Sequence, residues 1–336
     1  MRILLTGATG FIGHHLAQKL LEEGHHIVGI DHLKPAYEGN LPKIRLEKIL
    51  NNPFSKNFNF HNLDLVDPEA IVVLSALEPF DAIVHLAAYP GVRRGEIEST
   101  RYYKNNVTSH SAVFEIAKFS KNVKILYASS SSVYGDLGAR GAVNEDNAKF
   151  SDIKSVYGST KWINELQADQ FFKNFGLQSI GLRFFTVFGS LGRPDMAYSI
   201  FAKNIEMGIE IPIIADLDSL RDYTYINDLI FQILLILESL QEKNHVLNSD
   251  LSTIGSMKLN LGLSSPKKLS EIIQCIELAL NKEAKFNFMP HQPTDSIGTY
   301  ADNSRMKNYF PGIRATNFQD AINETLNQVD FKWYMG

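Results

Sequence analysis

The chain is poor in the features that mark secreted and membrane proteins. Its single cysteine, Cys275, excludes an internal disulfide and suits a reducing compartment, so we expect a cytoplasmic protein. The longest apolar helical pattern, near residues 228–240, is interrupted by polar residues and is too short to cross a bilayer. The first apolar run belongs to the glycine motif described below, so we expect neither a signal peptide nor a membrane partner.

The chain also has only a small excess of one sign of charge over the other. The net charge is −4 and there is no long basic run, so we expect no nucleic-acid partner. Hydrophobic residues make up 44% of the chain, which is ample for a sizeable core. With 336 residues the chain exceeds one typical domain, which predicts two lobes or one enlarged α/β unit.

Three glycines, Gly7, Gly10 and Gly13, lie between a short apolar run at 3–5 and an apolar helical stripe that begins at residue 11. Glycine permits a tight strand-to-helix turn and a close approach of backbone N–H groups to a phosphate, next to the positive end of a helix. A second predicted strand ends in Asp31, about 20 residues beyond, where a carboxylate can bind a ribose 2′-hydroxyl. The arrangement favours dinucleotide binding over an ordinary turn.

Strand and helix patterns alternate over about the first 185 residues. Predicted strands follow at 26–30, 58–63, 81–86, 123–128 and 179–184, and predicted helices at 40–50, 66–77, 96–119 and 156–175. This alternation predicts an α/β fold, a Rossmann-type doubly wound parallel sheet that binds its ligand at the carboxyl ends of the strands. From residue 186 the rhythm loosens. We therefore expect a dinucleotide-binding domain over 1–185 and a smaller C-terminal α/β substrate lobe over 186–336, with some segments returning to the first domain.

Tyr157 and Lys161 have the spacing Y-x-x-x-K in a predicted helix, so both side chains share one face. A free tyrosine has a pKa of about 10, and a nearby ammonium and an oxidised nicotinamide would favour its phenolate. Such a base could remove a hydroxyl proton while hydride leaves the same carbon. Alone, this spacing more often marks a solvated helix face. Behind a dinucleotide motif and the serine run at 129–132, it indicates a Ser–Tyr–Lys triad.

These motifs resemble those of the extended short-chain dehydrogenases/reductases, an NAD-dependent epimerase/dehydratase family that acts largely on nucleotide sugars. Within it the chain most resembles the UDP-glucuronate 4-epimerases, over nearly its full length. The segments that carry the resemblance are D-L at 64–65, L-A-A at 86–88, A-Y-P-G-V-R at 88–93, V-Y-G at 133–135, L-R-F-F-T-V-F-G at 182–189, G-R-P-D-M at 192–196, R-D-Y-T-Y-I at 221–226, the turn at 292–295 and T-Y-A-D at 299–302.

The resemblance assigns the serine run. Ser130 matches the triad hydroxyl, and Ser129 we interpret as closing a strand end. The family's 4,6-dehydratases carry Asp and Glu at the places of Ser131 and Ser132, and related uronate decarboxylases carry Glu at the second. Hydroxyls there, with Thr186 in place of an asparagine common in galactose epimerases, can hold a substrate carboxylate without repelling it.

The resemblance also implies the binding residues. It places Asp64 and Leu65 at the adenine, and Asn106 and Lys161 near the nicotinamide. Asp31 without a nearby arginine favours NAD over NADP. The residues expected at NAD are Gly7, Gly10, Phe11, Ile12, Gly13, Asp31, Asp64, Leu65, Leu86, Ala87, Ala88, Asn106, Tyr157 and Lys161. Those expected at the sugar nucleotide are Arg93, Ser130, Ser131, Ser132, Thr186, Arg193, Arg221 and Asp295.

Two of these, Arg93 and Arg193, lie in predicted loops and could pair with a diphosphate or a carboxylate, or be solvated loop charges. The paired histidines at 14–15 and 25–26 we interpret as surface or cap residues, and we predict no metal. The segments 215–220 and 244–258 depart from the family pattern, the second as an insertion.

The activity implied is NAD-dependent conversion of UDP-glucuronate to UDP-galacturonate through a transient 4-keto sugar. One alternative is a 4-epimerase of a neutral UDP-sugar, UDP-glucose or a UDP-N-acetylhexosamine. A dehydratase or reductase is a second, although elimination acids are missing. A non-catalytic NAD-binding sensor is a third, and the intact triad argues against it. The family's two long helices, here near 96–119 and 156–175, pack across a two-fold axis, so a homodimer is expected.

Overall fold

The structure, a computed structural model, describes residues 1–34, 40–214, 216–241, 255–290 and 297–329. The strands are β1 (Arg2–Thr6), β2 (His26–Asp31), β3 (Phe58–Asn62), β4 (Ala82–His85), β5 (Lys124–Ser130), β6 (Ser179–Phe184), β7 (Thr186–Phe188), β8 (Ile211–Ile213), β9 (Leu220–Arg221), β10 (Tyr223–Tyr225), β11 (Ser256–Leu261), β12 (Lys267–Lys268) and β13 (Phe286–Phe288). The helices are α1 (Phe11–Glu22), α2 (Leu41–Leu50), α3 (Pro68–Ser75), α4 (Val92–Ile97), α5 (Ser99–Ala117), α6 (Val156–Phe175), α7 (Ala197–Met207), α8 (Ile226–Gln241), α9 (Leu269–Leu280), α10 (Ser304–Tyr309) and α11 (Phe318–Asn327).

Seven strands form one sheet in the order β3-β2-β1-β4-β5-β6-β11, and every neighbouring pair is parallel. The order reverses between β1 and β4, which opens a crevice at their carboxyl ends. Strands β4 and β6 are buried at every position, as expected for parallel strands covered by helices on both faces. The predicted doubly wound parallel fold is confirmed.

Alternation along β1 divides the core between the two faces of the sheet. Ile3 and Leu5 belong to one apolar cluster, and Leu4, between them, belongs to the cluster on the opposite face. The face of Leu4 also buries Phe114 of α5. The other face packs against α1, α8 and the C-terminal part of the chain. The three central residues of β1 are therefore all apolar, because each of them lies on a buried face of the sheet.

The chain after β6 builds three two-stranded sheets, in which β7 pairs with β10 and β8 with β13 in parallel, and β9 pairs with β12 antiparallel. Strand β11 does not join them; it lies beside β6 at the edge of the large sheet. The end of the expected insertion, residues 256–258, therefore belongs to β11. Its earlier part, residues 244–254, lies outside the described residues. The division of domains at residue 185 stays a prediction.

The helix predicted over 96–119 is two helices, because the chain turns at Glu98. This residue has φ −114° and ψ 39°, outside the helical region, and its carboxylate accepts hydrogen bonds from Arg94 and Arg101 on either side. Within the described ranges, no helix has the length and apolar character needed to cross a membrane.

Candidate active site

A cleft of about 1100 Å³ lies at the carboxyl ends of the central strands, between the large sheet and the C-terminal elements. The structure brings together along this cleft nearly all residues that the sequence predicts for cofactor and substrate. Those on its lining are Gly7, Gly10, Phe11, Ile12, Gly13, Asp31, Asp64, Leu65, Leu86, Ala87, Ala88, Arg93, Ser130, Ser131, Ser132, Tyr157, Lys161, Thr186, Arg193 and Arg221.

Two predicted residues are not on this lining. Asp295 lies outside the described residues. Asn106 is buried behind the cleft, where its amide pairs with the backbone N–H and carbonyl of Tyr89 and with the hydroxyl of Thr160. In this position Asn106 supports the cleft wall through Tyr89, and its assignment to the cofactor stays a prediction.

The glycine turn leaves no room for side chains. Gly7 has φ +69°, and a Cβ there would lie 2.7 Å from the backbone nitrogen of Ala87. A Cβ on Gly13 would lie 2.0 Å from the carbonyl oxygen of Gly7, so the first turn of α1 packs directly on the loop. Gly10 caps α1 without a side-chain hydrogen bond, and the first-turn backbone lines the cleft. A turn of bare backbone beside a helix N-terminus fits a pyrophosphate.

Asp31 is held at the end of β2 with its carboxylate at the cleft. One oxygen accepts hydrogen bonds from the backbone N–H of Thr9 at 3.0 Å and from its hydroxyl at 2.7 Å. The other accepts from the N–H of His32 at 2.9 Å. A carboxylate has about four acceptor positions, so a ribose hydroxyl can be added to these partners. The arrangement fits the ribose of a dinucleotide.

The triad residues meet where β5 ends and α6 begins. Lys161 donates from Nζ to the carbonyl of Ala128 at 2.9 Å, and the same nitrogen lies 5.9 Å from the centre of the Tyr157 ring. Burial raises the pKa of the Tyr157 phenol, while the charge of Arg193 and the nearby Ser130 hydroxyl act in the opposite direction. Burial lowers the pKa of Lys161 to about 8. The structure thus brings Ser130, Tyr157 and Lys161 together in the cleft, and their action as a catalytic triad stays a prediction.

The hydroxyls at the end of β5 differ in their surroundings. Ser130 accepts the backbone N–H of Ser132 at 3.1 Å, and the two hydroxyl oxygens are also 3.1 Å apart. Ser129 is buried and donates to Glu165, which agrees with its interpretation as a strand-end residue. Thr186 begins β7, with its backbone N–H bound to the carbonyl of Asp222. Ser130, Ser132 and Thr186 therefore present hydroxyls from rigid elements.

The predicted arginines lie at the cleft, but not all in loops. Arg93 lies on the short helix α4, because Gly91 with φ +101° starts that helix. Arg193 is in a turn and donates to both oxygens of Asp195, at 3.0 and 2.7 Å. Arg221 lies on β9. The loop prediction for Arg93 is wrong, although its position at the cleft agrees with the expectation.

The interpretation of all four paired histidines as surface or cap residues is wrong for His14. His14 is fully buried in α1, and burial lowers its pKa well below the usual value. His15 bonds to the carbonyl of Ser190, and burial lowers its pKa to about 4. Within the described ranges, no group of three His, Cys, Asp or Glu side chains is arranged to hold a metal ion.

The sequence did not single out His85, the last residue of β4, although it lies near the triad. Its Nδ1 is 2.7 Å from the hydroxyl of Thr6, which also accepts the N–H of Ala87. Burial and the charge of Lys161 lower the pKa of His85 to about 3. Its place directly before the L-A-A motif was the available signal.

Replacing His85 with glutamine is expected to weaken the effect of acid on stability. The folded imidazole stays neutral down to about pH 3, whereas the unfolded one takes up a proton below 6.5. Its contribution to stability is therefore complete above pH 6.5 and is lost as pH falls toward 3. Between pH 7 and pH 5 the loss is about 2 kcal/mol. Urea unfolding at both values should show the larger decrease for the wild type; equal decreases would contradict the assignment.

Comparison with known proteins agrees with this geometry. The sequence pattern of the NAD dependent epimerase/dehydratase family matches residues 3–249. An uncharacterized protein of Methanocaldococcus jannaschii is 40% identical over 90% of this chain and 88% of its own length. UDP-glucuronate 4-epimerase of Thermodesulfobacterium geofontis is 30% identical over 96% and 94%. The crystal structure of UDP-glucuronic acid 4-epimerase from Bacillus cereus, in complex with UDP-glucuronic acid and NAD, has 31% identity and a TM-score of 0.86, covering 98% of both chains.

Proposed function

This chain belongs to the NAD-dependent epimerase/dehydratase family, and on that premise we propose that it is an NAD-dependent 4-epimerase that interconverts UDP-glucuronate and UDP-galacturonate. The observation that carries the proposal is a set of hydroxyls that line the same cleft as Tyr157. Ser131, Ser132 and Thr186 all line the cleft, and a dehydratase of this family would carry carboxyl groups at the first two of these positions. Full-length similarity to UDP-glucuronate 4-epimerases supports the same activity.

Tyr157 is the proposed base. With its phenol enclosed in the cleft and the Lys161 ammonium beside its ring, it takes the proton of the sugar 4-hydroxyl and later returns it. Lys161 stabilises the phenolate by its charge, and its bond to the Ala128 carbonyl keeps that charge in place. Ser130 donates to the sugar oxygen. NAD held by the glycine turn and Asp31 would supply the hydride acceptor, and inversion would require the keto sugar to turn in the cleft before it takes the hydride back on its other face.

The carboxylate of the substrate needs its own support. The keto sugar formed from a uronate is a β-keto acid and can lose CO₂, so a fixed carboxylate protects the intermediate. Hydroxyl donors bind a carboxylate without adding a like charge, and such charge-assisted bonds are strong. We assign this role to Ser131, Ser132 and Thr186, with Arg93, Arg193 and Arg221 near the diphosphate or carboxylate.

The function is tested by proton NMR of the purified protein with UDP-glucuronate and no added cofactor. We expect UDP-galacturonate to appear, because NAD stays bound through a cycle that returns its hydride. Release of CO₂ or a lasting keto sugar would overturn the carboxylate-holding role. Turnover of UDP-glucose or a UDP-N-acetylhexosamine alone would keep the mechanism and replace the uronate by a neutral sugar.

Replacing Thr186 with valine is expected to raise KM for UDP-glucuronate about tenfold, because a hydrogen bond to a charged group contributes about 1.5–3 kcal/mol. Valine keeps the shape of the side chain, so β7 is preserved. The matched control is Ser159→Ala, since the Ser159 hydroxyl bonds to the backbone of its own helix and is not among the cleft-lining residues. Steady-state kinetics of both variants give the comparison; an unchanged KM in the Thr186 variant would refute the role.

We also propose a cytoplasmic homodimer in which α5 and α6 pack against the same helices of a second copy. Apolar side chains on these helices are exposed in the single chain, including Tyr103 at 39% and Leu166 at 49%. Such side chains are buried when helices pair across an interface. Sedimentation should give twice the mass of one chain, and a mass of one chain would refute the dimer.

A further inference from the structure

Side chains bind four consecutive backbone carbonyls in the turn 189–192. Tyr198 donates to the first at 3.3 Å, and Nε2 of His15 donates to the second at 2.9 Å. Arg45 donates to the third through Nε at 3.1 Å and Nη2 at 2.6 Å, and to the fourth at 3.3 Å. All four residues of the turn are buried, so their carbonyls depend on protein donors rather than on bulk water. Here the protein holds each one, so the turn 189–192 has a fixed conformation.

Two of the donors, His15 on α1 and Arg45 on α2, come from the part of the chain that carries the glycine turn. Arg45 on α2 is fully buried, and its Nη1 also donates to the carbonyl of Thr9 inside the glycine turn, at 3.3 Å. A buried guanidinium is costly unless its N–H groups find acceptors, so these bonds restrict where it can lie. One side chain therefore holds both the glycine turn and the turn 189–192.

The turn 189–192 leads directly into Arg193. Leu191 within it has φ +52°, which costs a residue with a Cβ about 1 kcal/mol and persists only where the surroundings impose it. Immediately beyond, the Arg193 guanidinium lines the cleft, bridged to Asp195 and packed close to Gly91. The conformation of the turn thus decides where Arg193 stands.

We propose that Arg45 and His15 are positioning residues for the sugar nucleotide. They act through Arg193, by fixing the turn 189–192 and by joining it to the glycine turn that receives NAD. The inference rests on the proposed function in assigning a sugar nucleotide to the cleft. It gives a role to a fully buried arginine at the wall of the cleft.

A double-mutant cycle tests this role. In NAD-loaded protein, Arg45→Lys is expected to weaken UDP-glucuronate binding about tenfold by calorimetry, because lysine cannot reach all the carbonyls. In the Arg193→Ala background the same change should weaken binding less than about twofold, since the residue that Arg45 positions is gone. A general structural defect would weaken binding equally in both backgrounds, and that result would overturn the proposal. Unchanged binding in Arg45→Lys with Arg193 present would overturn it too.

Further arms keep the outcomes separate. His15→Leu removes a single donor to the turn and repeats the cycle if Arg45→Lys does not fold. Lys43→Met, an exposed cation on the same helix, is the matched control and should leave binding unchanged. In steady state, Arg45→Lys should raise KM while kcat stays within about threefold. UDP-glucose is titrated in parallel. The double-mutant cycle can then be measured even if UDP-glucuronate is not the substrate. Wild-type protein that binds without epimerising counts against the proposed function alone.

Discussion

Replacing Tyr157 with phenylalanine is expected to lower kcat for epimerisation about 10³-fold, with NAD content and melting temperature close to those of the wild type. The change removes one oxygen atom. The ring remains, so its edge-to-face contact with Tyr102, at 6.5 Å between ring centres, is preserved. Loss of turnover would then report the chemistry of the phenol rather than a defect of packing.

The size of the effect follows from the surroundings of the phenol. Burial raises its pKa, so the phenolate depends on the cations around it. Lys161 is the nearest cation on the same helix, and its Nζ is held by the Ala128 carbonyl. Phenylalanine leaves that ammonium in place but offers no group to accept the substrate proton. Tyr157 is the one tyrosine of α6, so no other phenol on this helix can replace it.

Tyr309→Phe is the matched control for this change. The same oxygen is removed from a half-buried side chain on α10 that is not among the cleft-lining residues, so kcat should stay within about twofold. Turnover is followed by NMR with UDP-glucuronate, and the bound cofactor by absorbance after denaturation. Tyr157→Phe with wild-type turnover would remove Tyr157 from the mechanism.

Elements with strong local signals could be predicted from the sequence. The bounds of α6 and β6 agree with the prediction, residue for residue. Helix α6 begins after Ser155, whose hydroxyl accepts the N–H of Gly158, and ends at Gly176 with φ +69°. Strand β6 is buried at every position and carries Ile180, Leu182 and Phe184 at alternate positions. Caps and periodicity act over a few residues, and that range is what a single sequence displays.

Contacts between distant residues could not be predicted. Arg45 and the carbonyl of Leu191 are 146 residues apart, and neither position has a local pattern that points to the other. His14 was misassigned for the same reason. Its burial depends on segments distant in the chain, and the sequence around it does not show them. The break between α4 and α5 at Glu98 was missed as well. The two arginines that bind its carboxylate are residues common within helices, so they do not mark a helix end.

The second large effect is expected at Glu165, whose ion pair with Arg183 lies beneath the serine run. The two side chains are 4% and 5% exposed, and both oxygens of Glu165 accept from the guanidinium, at 2.8 and 2.7 Å. Ser129 adds a third bond to the same carboxylate at 2.6 Å. The pair therefore joins α6, β5 and β6 directly behind Ser130.

Arg183 also donates to the hydroxyl of Tyr134 and to the carbonyl of Glu145. Glu165 raises the pKa of the guanidinium further, against the effect of burial, so the charge persists at every accessible pH. Removing the carboxylate would leave that charge buried without its counterion. These remaining hydrogen bonds do not neutralise it.

Glu165→Ala is therefore expected to lower the free energy of unfolding by about 3–5 kcal/mol, the cost of an uncompensated buried charge. The matched control is Glu22→Ala, which breaks the exposed pair with Lys19 at 3.2 Å and should change stability by less than about 0.5 kcal/mol. Guanidinium unfolding at pH 7 measures both. A change below about 1 kcal/mol for Glu165→Ala would mean that water reaches Arg183. The ion pair would then not fix the position of the serine run. With the expected loss, the stability of the fold and the placement of Ser130 depend on the same ion pair, because the carboxylate that neutralises Arg183 also holds the end of β5.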